Sequence, residues 1–369
     1  RAGGPAVTDQ SARRRELDLD ADDELAHWRD EFVIPDPELV YLDGNSLGRT
    51  PQRTVTALAE VVEQQWAGDL ITSWWEHEWL DLPLAVGDEL APLLGAGPGE
   101  VAVHDSTTVC LFQLINVAVD LALDRRRRPA DAPVVIAVPT HEFPTDRYVI
   151  DGIARLRSSD ARPVVVRHGL DDLDDVDVVV RSHVDYRTAL IAPLAEETAR
   201  ATGHGAITVW DLSHAAGVVD LDLEAAGVDL AAGCTYKFLN GGPGAPAFTY
   251  VRRSVQSDVV QPIWGWFGQR DQFAMDNPFD AREGIARLLN GTPGVLGLTA
   301  ARCGIAVTAE AGIGRISRKA HALAGFAIDL ADDLGLRCTT ERPPASSGGT
   351  VSIVHPDATA LQRRLAERK

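Results

Sequence analysis

The sequence predicts an α/β protein, with a large domain on a mainly parallel sheet and a smaller α+β domain after it. Three observations predict this. Short β-branched runs at residues 101–104, 134–138, 176–180 and 206–210 alternate with stretches of helical periodicity as far as Val251. These runs lead into polar residues on loops, as open parallel sheets do at their ligand-binding edge. After residue 300, two helical stretches alternate with two short strand-like ones. A chain of 369 residues, 45% of them hydrophobic, is long enough for two domains and a large core. The expected division is an N-terminal arm and small-domain segment at 1–50, a large domain at 51–285, and an incomplete C-terminal small domain at 286–369.

In order, residues 1–15 read as a mobile, Arg-rich arm and 20–32 as a first helix. The loop 41–51 carries Gly44, Asn45, Ser46 and Gly48, and Pro51 favours the start of a helix running towards Trp66. Trp74, Trp75 and Trp79 read as core or interface, or as a wall for an aromatic substrate. Residues 82–94 read as helical. The strand 101–104 runs into Asp105-Ser106-Thr107-Thr108, which opens an apolar helix with Leu111, Leu114, Ile115, Ala118 and Leu121 on its buried face. Ser and Thr there suit a cap or a phosphate cradle. Arg125 to Arg128 reads as a solvated helix end. Pro144 is expected to break regular structure, leaving Phe143 and Asp146 on a loop after the 134–138 strand. Trp264, Trp266 and Thr292 sit in Gly-rich loops suited to a pocket rim or subunit contact.

Charge and cysteine usage exclude several classes. A net charge of −19 argues against nucleic acid as a partner. The four cysteines show no metal-ligand spacing, so reduced thiols in a cytoplasm are expected. No apolar run reaches the ~18 residues of a membrane span. The chain begins at Arg1, so its natural start is expected upstream.

The chemistry centres on Lys237. Of 35 basic residues only Lys237, Lys319 and Lys369 are lysines, and only Lys237 has aromatic and small neighbours without adjacent charge. A desolvated lysine can shed its proton and attack a carbonyl, which arginine cannot. Asp211 ends the 206–210 run. A helical crossover at 221–227 and a short strand at 229–234 would bring Asp211 and Lys237 to one sheet edge. That pairing is what pyridoxal phosphate (PLP) requires, with a lysine for the Schiff base and a carboxylate for the pyridinium nitrogen. It also fits an ordinary βαβ unit with a buried acid.

Asp211-x-x-His214 and Tyr236-Lys237-x-Leu239-Asn240-Gly241-Gly242-Pro243-Gly244 resemble kynureninase, a PLP enzyme of fold type I. So do the motifs 44–48, 143–146, 265–268 and 291–293, all in the family's order. The resemblance implies that Lys237 carries the Schiff base, Asp211 meets the pyridine nitrogen and His214 lies beside it. Thr107, Thr108 and Tyr236 would surround the phosphate. Phe143 would stack on the ring, while Asp146 and Ser182 would hold it by hydrogen bonds. Trp266 and Thr292 would come from the neighbouring subunit of a homodimer, and with Ser46 would face the substrate. The reaction implied is hydrolytic cleavage of kynurenine, or a ring-substituted analogue, to an anthranilate and L-alanine, with Lys237 moving the Cα proton and Tyr236 donating one. It also implies a place in tryptophan catabolism or NAD biosynthesis. The chain departs from the family at Gln269, where His is usual, and in a compressed join between Thr188 and Ala195. The family's carboxylate-binding arginine is expected beyond Lys369. A cysteine desulfurase, an aminotransferase or an inactive PLP-fold binding protein stay open as alternatives.

Overall fold

The computed structural model describes residues 9–125, 131–275, 278–342 and 346–368. The strands are β1 (Val101–His104), β2 (Val134–Val138), β3 (Val164–His168), β4 (Val178–Ser182), β5 (Ile207–Asp211), β6 (Leu230–Gly233) and β7 (Ala247–Val251), followed by β8 (Arg337–Cys338) and β9 (Ile353–Val354). The helices are α1 (Asp9–Ala21), α2 (Gln52–Glu60), α3 (Ser73–Glu76), α4 (Leu82–Leu90), α5 (Thr107–Arg125), α6 (Pro144–Leu156), α7 (Leu194–Gly203), α8 (Val295–Ala311), α9 (Ile313–Asp333) and α10 (Ala358–Ala366).

Strands β1 to β7 form one sheet in the order β1-β7-β6-β5-β4-β2-β3. The pairs β2/β3, β2/β4, β4/β5 and β5/β6 are parallel, and β7 runs antiparallel to β6 and β1. The mainly parallel large domain is therefore present. Strands β2, β5, β6 and β7 are buried along their whole length, as expected of a sheet covered on both faces. Helix α5 packs across β4 to β7 with Leu111, Leu114, Ile115 and Val117 fully buried. Each such side chain contributes roughly 1.5–3 kcal/mol. This helix corrects one sequence expectation: at 19 residues it is long and apolar enough to cross a membrane. Its apolar surface is instead spent on the core.

Other expectations also change. The described part of the 1–15 arm belongs to α1, and residues 1–8 lie outside the described residues. The helix expected at 20–32 is the end of α1 followed by a 3-10 segment, Ala26–Glu31. Helix α1 is strongly polar and is tied by charge to α9, where Arg15 pairs with Asp329. The neighbouring residues Asp23 and Glu24 pair with Lys319 and Arg318 at 2.6 and 2.9 Å. The crossover at 221–227 is a series of turns rather than a helix, because Leu221 and Leu223 are buried while Asp222 and Glu224 are exposed, an alternation no helix can present. Pro144 opens α6 instead of breaking regular structure: a missing N–H costs nothing at the first helical position. Phe143 is thus the N-cap of α6 and Asp146 sits in its first turn. Of the basic run 125–128, Arg125 ends α5 and the rest lies outside the described residues.

Candidate active site

The register of the sheet builds the site. Ser182 and Asp211 are the last residues of β4 and β5 and pair across the ladder. Asp211 is followed by a turn that carries Ser213 and His214, and β6 is followed by Cys234, Tyr236 and Lys237. The β2–α6 turn delivers Glu142, Phe143 and Asp146 to the same carboxyl edge. The lysine loop is clamped from both sides. Gly48 donates its amide to the Tyr236 carbonyl at 2.9 Å, and a Cβ on Gly48 would stand 2.2 Å from the Lys237 carbonyl oxygen. A Cβ on Gly304 of α8 would stand 2.0 Å from the Leu239 carbonyl oxygen. Only glycine permits these approaches.

Lys237 is buried, 8% exposed, and its Nζ donates to His214 Nε2 at 3.0 Å. Burial, and then the Lys237 charge, push His214 down to about 4, so its imidazole is neutral and accepts that bond. The same Nζ stands 5.9 Å from the centroid of the Phe143 ring and 5.7 Å from that of Tyr236. Phe143 is braced edge-on by Tyr186 and His214, with centroids at 5.2 and 6.3 Å. Burial, with the adjacent Cys234 thiol, pushes the Tyr236 phenol up to about 12, so it keeps its proton. Lys319, by contrast, is tied to Asp23 at 2.6 Å.

Across the site lie three buried carboxyl groups, Glu142, Asp146 and Asp211. Asp211 accepts from the Ser213 amide at 2.8 Å, and Ser182 Oγ donates to Asp146 at 3.5 Å. Burial, followed by the charges of Asp211 and Glu142, raises Asp146 well above the usual carboxylate range. Asp211 is raised by burial, against the opposing pull of Ser213 and Lys237. None of the three pairs with an arginine among the described residues. Such a cluster favours a shared proton or a further cation beside the carboxyl groups.

PLP fits this donor set. A protonated pyridine nitrogen would give Asp211 and Asp146 a cation besides Lys237, and Lys237 is the buried amine on the same edge. Thr107 and Thr108 lie in the first turn of α5, where amides have no acceptor within the helix and an anion is favoured. The structure thus gathers Lys237, His214, Tyr236, Phe143, Asp146, Asp211 and Ser182, with Thr107 and Thr108 heading α5.

Three expected residues stand apart. Ser46 donates to Asp43 Oδ1 at 2.7 Å within its own loop. Trp266 packs edge-on against Phe267 and Phe273 of its own chain and is 39% exposed. Thr292 lines a separate pocket of about 240 Å³ with His104 and Asp105. Its loop is fixed by Asn290, which donates to Asp105 at 2.7 Å and accepts from Gln113 at 3.0 Å. A larger cavity of about 950 Å³ meets Lys237 from the side of Gly48, Arg49 and α1. Sequence reasoning missed Glu142 and Asn290; the only signal for Glu142 was its place immediately before Phe143-Pro144-Thr145-Asp146.

Comparison with known proteins points to one family. The family model for aminotransferase class V matches residues 165–365. A protein named kynureninase from Pseudomonas fluorescens is 39% identical over 363 residues, spanning 95% of this chain and 85% of its own. One from Deinococcus radiodurans is 41% identical over 366 residues, with the same coverages. Among solved structures, an apo cysteine desulfurase from Thermococcus onnurineus NA1 superposes with a TM-score of 0.72 at 21% identity, covering 94% of this chain and 86% of its own. A C-DES mutant with glycine covalently linked to its PLP cofactor superposes with a TM-score of 0.75 at 16% identity, covering 91% and 90%. Both show the fold alone.

Proposed function

The chain belongs to the kynureninase family, and we propose that the residues gathered around Lys237 carry out that family's reaction. The protein is a PLP-dependent hydrolase of carbon–carbon bonds. Its reaction is hydrolytic Cβ–Cγ cleavage of L-kynurenine, or its 3-hydroxy analogue, to anthranilate, or 3-hydroxyanthranilate, and L-alanine. The observation that carries the assignment of residues is the buried Lys237 amine against a neutral His214, beside a cluster of buried carboxyl groups with no arginine partner among the described residues.

PLP, when bound, supplies an electron sink for the charge that develops at the substrate Cα and Cβ. Lys237 Nζ would hold it covalently, Asp211 and Asp146 would keep the proton on its ring nitrogen, and Thr107 and Thr108 would hold the phosphate. Phe143 would cover one face of the ring. The Lys237 amine would be the base that takes the substrate Cα proton. His214 accepts a hydrogen bond from that amine and fixes its direction without adding charge. Tyr236 remains protonated through neutral pH and could donate to a phosphate oxygen or to the substrate Cβ, which must gain a proton to become the methyl group of alanine.

We also propose a homodimer with shared sites. Trp266 and Thr292 do not reach Lys237 in their own chain. Trp264, Trp266, Phe273 and Met275 are exposed in one region of chain, and Trp75 stands beside Phe273 with centroids 6.1 Å apart. Aromatic surface of this kind is typical of an interface. A desulfurase is disfavoured because Cys303 lies within α8 with its thiol pushed up by burial, and Cys338 lies in β8. The test is anthranilate fluorescence released from L-kynurenine by the PLP-loaded protein. Sulfide release from cysteine without anthranilate would overturn the assignment.

A further inference from the structure

We propose that Glu142 is a positioning residue of this site, a buried carboxylate that ties the Phe143 turn to the end of β4 and adds a third negative charge behind Asp146 and Asp211. The proposal rests on the PLP reading given above. Its geometry is a two-point clamp: Oε1 accepts from the Phe143 amide at 2.8 Å and Oε2 from the Ser182 amide at 2.9 Å. Glu142 is 6% exposed, so both bonds are shielded from water. The two residues so joined come from elements that are not consecutive, the start of α6 and the last residue of β4. One carries the ring that faces Lys237 Nζ, and the other carries the hydroxyl that donates to Asp146. Sheet pairing between β2 and β4 involves only Ile136 with Val178 and Ala137 with Val179, so it stops well short of this edge. Glu142 closes that gap, and a carboxylate is the side chain that can accept from both amides at once.

Its charge has a second consequence. The titratable groups that feel it are Asp146 on α6 and Asp211 on β5. Burying an unpaired carboxylate beside two others is costly, and the arrangement makes sense where a cation must be held. Glu142 raises the proton affinity of both Asp146 and Asp211 and would do the same for a ring nitrogen placed against them.

The test compares wild type, Glu142→Gln and Glu142→Asp. Gln offers one acceptor oxygen where Glu offers two and removes the charge, whereas Asp keeps the charge on a shorter arm. PLP is titrated into each apoprotein, followed by absorbance and by circular dichroism in the cofactor band. The Gln variant should bind PLP on the order of 10- to 100-fold more weakly, as loss of a charge-assisted hydrogen bond implies. The pH midpoint of its cofactor band should fall, while the Asp variant keeps the wild-type midpoint; a role confined to structure would move neither. Wild-type affinity and midpoint in the Gln variant overturn the proposal. If wild type binds no PLP, the functional reading falls and this proposal with it. If the Gln variant does not fold, amide exchange in the Asp variant decides. Faster exchange at Phe143 and Ser182 supports the clamp, and unchanged exchange overturns it.

Discussion

Replacing Asp211 by Asn separates two quantities that one carboxylate ties together. The change is nearly isosteric, and the amide oxygen can keep the 2.8 Å bond from Ser213 N–H. What disappears is a charge buried beside Asp146 and Glu142. In the cofactor-free protein that charge is unfavourable. Any two like charges ~5 Å apart at an effective dielectric constant of ~20 repel by about 3 kcal/mol, and here a shared proton and the Lys237 charge offset part of such repulsion. Apo Asp211→Asn is therefore expected to be more stable than wild type by roughly 1–2 kcal/mol, a rise in Tm of a few degrees. In the loaded protein the sign reverses. An opposite charge beside a protonated nitrogen is worth about 1–3 pKa units, or about 1.4–4 kcal/mol. Turnover should then fall roughly 10- to 1000-fold while attachment at Lys237 survives. Thermal unfolding of the apoprotein and anthranilate fluorescence of the loaded protein measure the two effects. A wild-type rate in Asp211→Asn, or a lowered apo Tm, would refute the reasoning.

Three further outcomes are expected. Gly48→Ala places a Cβ 2.2 Å from the Lys237 carbonyl and should destabilise the protein by roughly 1–3 kcal/mol while weakening PLP binding, whereas Gly44→Ala, with open space around it, should do neither; melting and PLP titration check both. His183 is buried and sits at about 4 instead of 6.5, because burial disfavours its charged form. The unfolded chain takes up this proton at a higher pH than the native one, so the residue's contribution makes stability fall as pH drops from 6.5 to about 4. In His183→Gln this acid slope should be shallower by roughly 3 kcal/mol in total, as read from denaturant melts across that window. Trp266→Phe should weaken PLP binding by roughly 1.5–3 kcal/mol. Heterodimers of Trp266→Phe with Lys237→Ala should recover one good site, and no recovery in demonstrated heterodimers would show that Trp266 serves its own subunit.

Much of this architecture was legible because burial on both faces writes a strong signal. Strands β1 and β2 coincide with their apolar runs, since a strand buried on both faces is mostly apolar along its length, whichever way its neighbours run. The shift of the 176–180 run to Val178–Ser182 mattered more, as it puts Ser182 in register with Asp211. Lys237 and Asp211 were legible from residue chemistry, because lysine is scarce and Asp211 ends one strand while Lys237 follows the next. The turns of the β5–β6 connection were not legible, because 221–227 has helix-forming composition and only tertiary burial of Leu221 and Leu223 decides against a helix. Helix α1 was hidden for the opposite reason: it is strongly polar, and its charge pair with α9, Arg15 with Asp329, joins residues more than 300 positions apart. Glu142 was missed because a backbone clamp between the β2–α6 turn and β4 leaves no periodicity.

Borohydride reduction of the PLP-loaded protein, followed by peptide mapping, identifies the amine that holds the cofactor. The buried amine against neutral His214 predicts a single pyridoxyl label on Lys237 and none in Lys237→Ala, whose fold should remain intact. A label on Lys319, the lysine paired with Asp23, would contradict the account.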